Sequence, residues 1–121
     1  SNLDVLGEGF KIVGIFDKDS NKIGKIAAND LIVQDIRNVG EFIKNMKNDS
    51  NTKIDMAILA VVKEQAQIAA EGLVKNGISA ILNMTTYKLE LGENVKVVDM
   101  DISAKLQELN FWRINNISEK I

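Results

Sequence analysis

The chain has 121 residues and a mass of 13.4 kDa, room for one domain by the usual span of roughly 100 to 200 residues, and its 45% hydrophobic and 26% charged content is that of a globular protein. It contains no His and no Cys, which removes the Ser-His-Asp triad, thiolate nucleophiles, an imidazole base and the usual zinc sites. With a formal charge of -2, lysines spread along the chain and no apolar run or leader pattern of membrane or secretory type, it reads as a soluble, cytoplasmic protein that does not hold DNA by itself.

In chain order, Ser1 to Glu8 show no clear periodicity. Phe10 to Phe16 (FKIVGIF) reads as a strand and Asp17 to Asn21 (DKDSN) as the turn after it, so Asp17 falls at a strand's C-terminal end. Leu31 to Val33 reads as a short strand. Asn38, with Glu41 three residues on, announces a helix by a capping-box pattern. Val39, Phe42, Ile43 and Met46 supply its apolar stripe, over roughly Val39 to Lys47, before an Asn- and Lys-rich turn ending near Asn51.

Between Ile54 and Val62 only Asp55 is polar, the pattern of a central parallel strand buried on both faces. Glu64 to Asn76 reads as a helix with Ala66, Ala69, Ala70, Leu73 and Val74 on one side and Gly77 as its stop. Ile78 to Leu82 and Val95 to Val98 are further strands, and Asp101 to about Asn116 is the last helix. Strands alternating with helices predict a three-layer, Rossmann-like α/β fold with a parallel sheet. No internal repeat or linker is visible, so residues 1–121 are expected to form one domain.

Ligands of such sheets lie outside the carboxyl ends of the strands. Three segments qualify: Asp17 with Lys18; Val61, Val62 and Lys63; and Asn83, Met84, Thr85 and Thr86. Asp17 could accept hydrogen bonds from the adenosine ribose of NAD, its charge repelling the extra phosphate of NADP. It could equally be a turn aspartate closing its own loop. The dinucleotide fingerprint G-x-G-x-x-G is absent: Gly7 and Gly9 are followed by Ile12 at the third position. Tyr87 and Lys88 are adjacent, not one helical turn apart, which excludes a Tyr-Lys proton-transfer pair and leaves Tyr87 as a packing residue. The sequons at Asn83 and Asn116 to Ser118 carry no weight without a leader sequence.

On the last helix, at about 100° per residue, Ile102, Leu106, Leu109, Ile117 and Ile121 share one face that an ordinary core contact would cover. Phe111 and Trp112 fall outside it. Two exposed aromatics on a helix point to a partner, as aromatics anchor interfaces; the alternative is a bend near Asn110 that folds both rings onto their own domain.

The segments FKIVGIFD (Phe10 to Asp17), IDMAILAVV (Ile54 to Val62), ISAILN (Ile78 to Asn83) and VDMDISAKLQEL (Val98 to Leu109) strongly resemble, in order and over almost the whole chain, the C-terminal domain of the Rex family of bacterial redox-sensing transcriptional repressors. The resemblance implies a repressor whose winged helix binds DNA and whose Rossmann domain binds NADH or NAD+ competitively, NADH releasing the operator. Position by position, it implies that Asp17, with Lys18 beside it, meets the adenosine ribose. Val61 and Val62 would line the dinucleotide site, and Asn83, Met84 and Thr85 would border the nicotinamide. The last helix, with Leu109, Phe111 and Trp112, would be exchanged between the subunits of a homodimer.

By the same resemblance the winged helix, the first Rossmann strand and its Gly-rich loop lie outside this sequence, and the sheet is incomplete at its N-terminal end. The strand of Ile12 and Ile15 is then expected against that of Ile58, unless a partner chain fills the gap. The family's prolines after Lys63, within Asn83 to Thr86 and near Gly92 are absent, since the chain has none. Because loop amides and a helix N-terminus normally hold the pyrophosphate, NADH is expected to bind weakly or not at all.

Three functions follow. One is a NAD(H)-sensing and dimerisation module without enzymatic activity, needing only differential binding to two states. The second is a ligand-free dimerisation or interaction module derived from it. The third, less favoured, is an enzyme domain of the CoA-binding Rossmann type.

Overall fold

A computed structural model describes residues 9–27 and 30–116. Ser1 to Glu8, with Gly7, and Ile117, Ser118 and Ile121 therefore lie outside the described residues. The chain divides into two compact units, one through Thr52 and one from Lys53. Each carries a parallel sheet with helices, the Rossmann-like α/β class that the alternation of elements predicts.

In the first unit β1 (Ile15–Asp17) pairs in parallel with β2 (Val33–Asp35), Ile15 opposite Val33 and Asp17 opposite Asp35. The strand expected over Phe10 to Phe16 is thus only its last part, and Asp17 is its final residue, not the first of the turn. The strand expected at Leu31 begins two residues later, because Ile32 is taken up by an antiparallel bridge to Ile26. Within this unit β1 takes β2 as its neighbour.

Asp35 then ends β2 and caps a 3-10 turn, Ile36–Asn38, by accepting the Arg37 N–H at 2.9 Å. Helix α1 (Val39–Ser50) continues from that turn. The capping box expected at Asn38 does not form. Its backbone already lies near the helical region (φ -95, ψ 4), where its side chain makes no cap bond, and Asp35 has taken over the start. The other end fits the sequence: Asn51 adopts the left-handed conformation and its N–H returns to the Met46 carbonyl. Val39, Phe42, Ile43 and Met46 are all half-buried, and the Phe42 ring meets Phe16 of β1 edge-on at 5.1 Å. Gly14 makes room for this pair, since a Cβ there would stand 2.8 Å from the Phe16 ring and 3.0 Å from that of Phe42.

The second unit is a three-stranded parallel sheet, β3 (Met56–Leu59), β4 (Ala80–Asn83) and β5 (Lys96–Asp99), with β4 in the middle. Helix α2 (Lys63–Lys75) crosses from β3 to β4 and packs on β3. Its Ala66, Ala70 and Leu73 are buried together with Leu59, Ile78 and Ile81. The small alanines let helix and sheet approach closely. Gly77 stops α2 as expected: at φ +99 it donates to Val74 while Ile78 donates to Leu73, the double bond pattern that satisfies the last carbonyls of a helix.

Strand β3, expected at the centre of a sheet and covered on both faces, is an edge strand of this unit with one face covered. Leu59 faces α2, while Met56 is 56% and Ile58 49% exposed on the other face, beside Val98 of β5 in register through Leu82. Continuous hydrophobicity reports that both faces are apolar, not what lies on them.

Helix α3 (Ile102–Asn116) starts where Asp101 accepts the Ala104 N–H at 3.0 Å. The core contact expected for Ile102, Leu106 and Leu109 is not made. All three are exposed, as are Phe111 at 71% and Trp112 at 55%. The bend expected as an alternative near Asn110 does not occur, since α3 runs unbroken through it to Asn116, and Phe111 stays exposed.

Candidate functional site

Each unit brings candidate residues to the carboxyl end of its own parallel strands. In the first, Asp17 ends β1; its Oδ1 accepts the Asp19 N–H at 2.9 Å and its Oδ2 lies 3.9 Å from the Lys22 ammonium. Asp19 repeats the pattern on Asn21, also at 2.9 Å. The carboxylate therefore closes its own turn, one of the two roles left open above, and Lys18 beside it is exposed. A carboxylate offers about four lone-pair sites, so this role leaves acceptor capacity toward a sugar hydroxyl.

In the second unit Val61 and Val62 follow β3 and lead into α2, the Val62 carbonyl accepting the Gln65 N–H at 2.9 Å. Pairing with β3 continues one step past β4, since the Met84 N–H donates to the Leu59 carbonyl at 2.8 Å. Val61, Val62, Asn83, Met84 and Thr85 thus share one sheet edge. Val62 is exposed there and Met84 half-buried.

Asn83 is 1% exposed, and its amide explains how a polar side chain tolerates burial. Nδ2 donates to the Tyr87 carbonyl at 2.8 Å and to Asp99 Oδ1 at 2.9 Å. Oδ1 accepts the Thr85 N–H at 3.0 Å and the Thr85 hydroxyl at 2.6 Å. An amide has two N–H donors and two oxygen lone pairs. All four are used inside the protein. The Thr85 hydroxyl in turn accepts the Tyr87 N–H at 3.2 Å. The Asn83 side chain accordingly shapes the edge without polar capacity to spare; Val62 and Met84 supply accessible surface.

Sequence reasoning missed two residues here. Asp99 joins because the β4–β5 register sets it opposite Asn83, a pairing that no local pattern reveals. Gln67 joins because its side chain, on the second turn of α2, grips the backbone of Glu90. Tyr87 was expected to pack, but its ring is exposed and its backbone does the work. No group of acidic residues able to hold a metal ion occurs among the described residues. The edge thus combines a fully bonded, buried amide with exposed apolar surface at Val62.

Residues 7–87 match the family profile described as CoA binding domain. The chain is 41% identical over 112 residues to the redox-sensing transcriptional repressor Rex of Thermotoga petrophila, covering 92% of this chain and 50% of that protein. Among solved structures it is similar to RSP, a Rex-family repressor, in complex with β-NADH, with a TM-score of 0.69 and 30% identity over 93% of this chain and 51% of the other. The complex of RSP with β-NAD+ and operator DNA gives a TM-score of 0.65 and 30% identity, covering 88% and 46%. The chain is thus homologous to these repressors and spans about half of their length.

Proposed function

Because the chain belongs to the CoA binding domain family, and its relatives are transcription regulators, we propose that it is the NAD(H)-sensing and dimerisation part of a Rex-type repressor, acting in the cytoplasm and catalysing no reaction. Residues 1–121 belong in this reading to one Rossmann-like domain. Asp17 accepts the adenosine ribose hydroxyls with Lys18 beside it. Val61 and Val62 form the apolar wall of the dinucleotide site, and Asn83, Met84 and Thr85 border the nicotinamide. The observation that carries this reading is the edge at Asn83: a fully satisfied, buried amide at the carboxyl end of a parallel strand, on the same sheet end as exposed Val62, offers a rigid wall to the face of a flat ring.

No Gly-rich loop between a strand and a helix is present among the described residues, so these residues do not offer a pyrophosphate the loop amides that usually hold it. Titration with NADH and NAD+, read by energy transfer from Trp112, the single tryptophan, is expected to give weak binding with NADH favoured. Saturable binding in the low micromolar range would show that the loop matters less than argued. Complete silence up to millimolar nucleotide favours the ligand-free interaction module. No operator contact is assigned to these residues, whose formal charge is -2, and a gel shift with a duplex at physiological salt should show none.

Dimerisation is assigned to α3, through Leu109, Phe111 and Trp112. Changing Phe111 and Trp112 together to Ser should shift sedimentation from dimer toward monomer. An intact chain that sediments at 13.4 kDa throughout the micromolar range would remove the homodimer from the proposal.

A further inference from the structure

The segment between Asn83 and β5 contains no helix or strand, yet beyond the Met84 bond to Leu59 side chains hold it at its start and in its middle. At its start stands the Asn83 amide described above. In its middle the Gln67 side chain makes both hydrogen bonds that one residue's backbone can offer: Nε2 donates to the Glu90 carbonyl at 2.7 Å, and Oε1 accepts the Glu90 N–H at 2.9 Å. This is the exchange of both bonds by which strand neighbours pair, made by a side chain from a helix. Gln67 sits one helical turn after Lys63, the first residue of α2, and so moves with Val61 and Val62, whereas Glu90 lies on the same loop as Met84 and Thr85.

We propose that Gln67 is a positioning residue that locks the loop carrying Met84 and Thr85 to the turn carrying Val61 and Val62, so that a dinucleotide meets a wall already in place. This rests on the nucleotide reading given above. The physical gain is preorganisation: loop entropy is lost on folding and not again on binding. The two bonds are exposed to solvent, where a hydrogen bond adds little net stability. Their effect is therefore one of geometry, restricted to the loop.

Gln67→Met keeps the side chain's length and removes both bonds. Hydrogen exchange and amide chemical shifts are to be followed by NMR in the full chain, alone and with NADH added to millimolar concentration. The Glu90 amide should exchange about 10-fold faster, with the Met84 and Thr85 signals shifted, while Ile81 and Leu82 of β4 keep their protection. The NADH dissociation constant should rise about 5-fold, in line with one hydrogen bond's worth of ordering. A uniform rise in exchange at all amides would mean that Gln67 only stabilises the fold, and unmoved Met84 and Thr85 signals would mean that the clasp is local; either overturns the inference. So does an unchanged affinity for NADH. If NADH moves no signal in the unmodified chain, the nucleotide reading fails and the ligand role of Gln67 fails with it, while the exchange data still decide whether Gln67 holds the loop. Gln67→Glu, which keeps the acceptor and loses the donor, should shift Met84 and Thr85 in the same direction by a smaller amount, and covers the case in which the Met variant does not fold.

Discussion

The two units use the same parallel βα vocabulary and bury it to different depths. In the second, Leu59, Ala66, Ala70, Leu73, Ile78 and Ile81 are fully buried, because α2 lies on a three-stranded sheet. In the first, none of the described residues reaches that degree of burial. Its strands are three residues long, and Phe16 and Phe42 share a contact that stays half open to solvent. The comparison teaches where rigidity comes from at the two candidate edges. Asn83 is held by a packed core and a saturated amide. Asp17 is held by a turn that closes on itself.

The largest effect should come from cutting the saturated amide. Asn83→Leu keeps the branched shape but strands the Tyr87 carbonyl, Asp99 and the Thr85 N–H and hydroxyl, and should cost about 3 kcal/mol in urea unfolding. A loss below about 1 kcal/mol would mean that water replaces the lost bonds and that the edge is softer than its geometry implies.

The contrast in burial is tested next by a matched pair. Leu73→Ala removes a buried side chain from α2 and should cost about 3 kcal/mol, whereas Phe42→Ala, although larger, should cost about 1.5 kcal/mol because much of its ring already sees water. Equal losses in thermal or urea melts would erase the difference drawn between the units. Gly14→Ala tests the first unit from the opposite side. Its new Cβ at 2.8 Å from the Phe16 ring should overpack the aromatic pair and cost about 1 kcal/mol, visible as a shift of the Phe16 and Phe42 ring signals.

The smallest effect concerns acid. Bonds from the Arg37 guanidinium, and then from its backbone N–H, lower the pKa of Asp35 from 3.8 to about 2. The charged form is favoured in the folded state, so its contribution is present above pH 3.8 and is lost as the pH falls through 2. Asp35 is partly open to solvent, so the loss should be small. Asp35→Asn should flatten that part of the stability profile, and an unchanged acid limb would show that the pair is screened away.

What could be read in advance followed the local rules of the chain. Gly77 ended a helix because only a residue tolerant of positive φ completes that stop, and Asn51 did the same for α1. The stripe of Ala66, Ala70 and Leu73 marked the face of α2 because the helical period is a property of the backbone. Asp101 marked the start of α3 for a similarly local reason. The capping box at Asn38 failed although its pattern was correct, since Asp35, three residues earlier, opened a 3-10 turn that carried the chain into the helix.

Tertiary structure alone decided the partners. A run such as Ile54 to Val62 states that both faces of a strand are apolar, and only the fold determined that one is covered by α2 while Met56 and Ile58 stay open. The pairing of β1 with β2, set by residues 18 positions apart, was likewise not written in any local pattern. At the candidate edge, Asn83 could be named from its position after a strand, but Asp99 and Gln67 could not, because their bonds join residues 16 and 23 positions apart. Such separations are set by sheet register and helix packing. Periodicity and capping act over a few residues, so the chain announced its elements and the carboxyl ends where ligands gather, while the side chains that hold those ends in place became visible only once distant segments met.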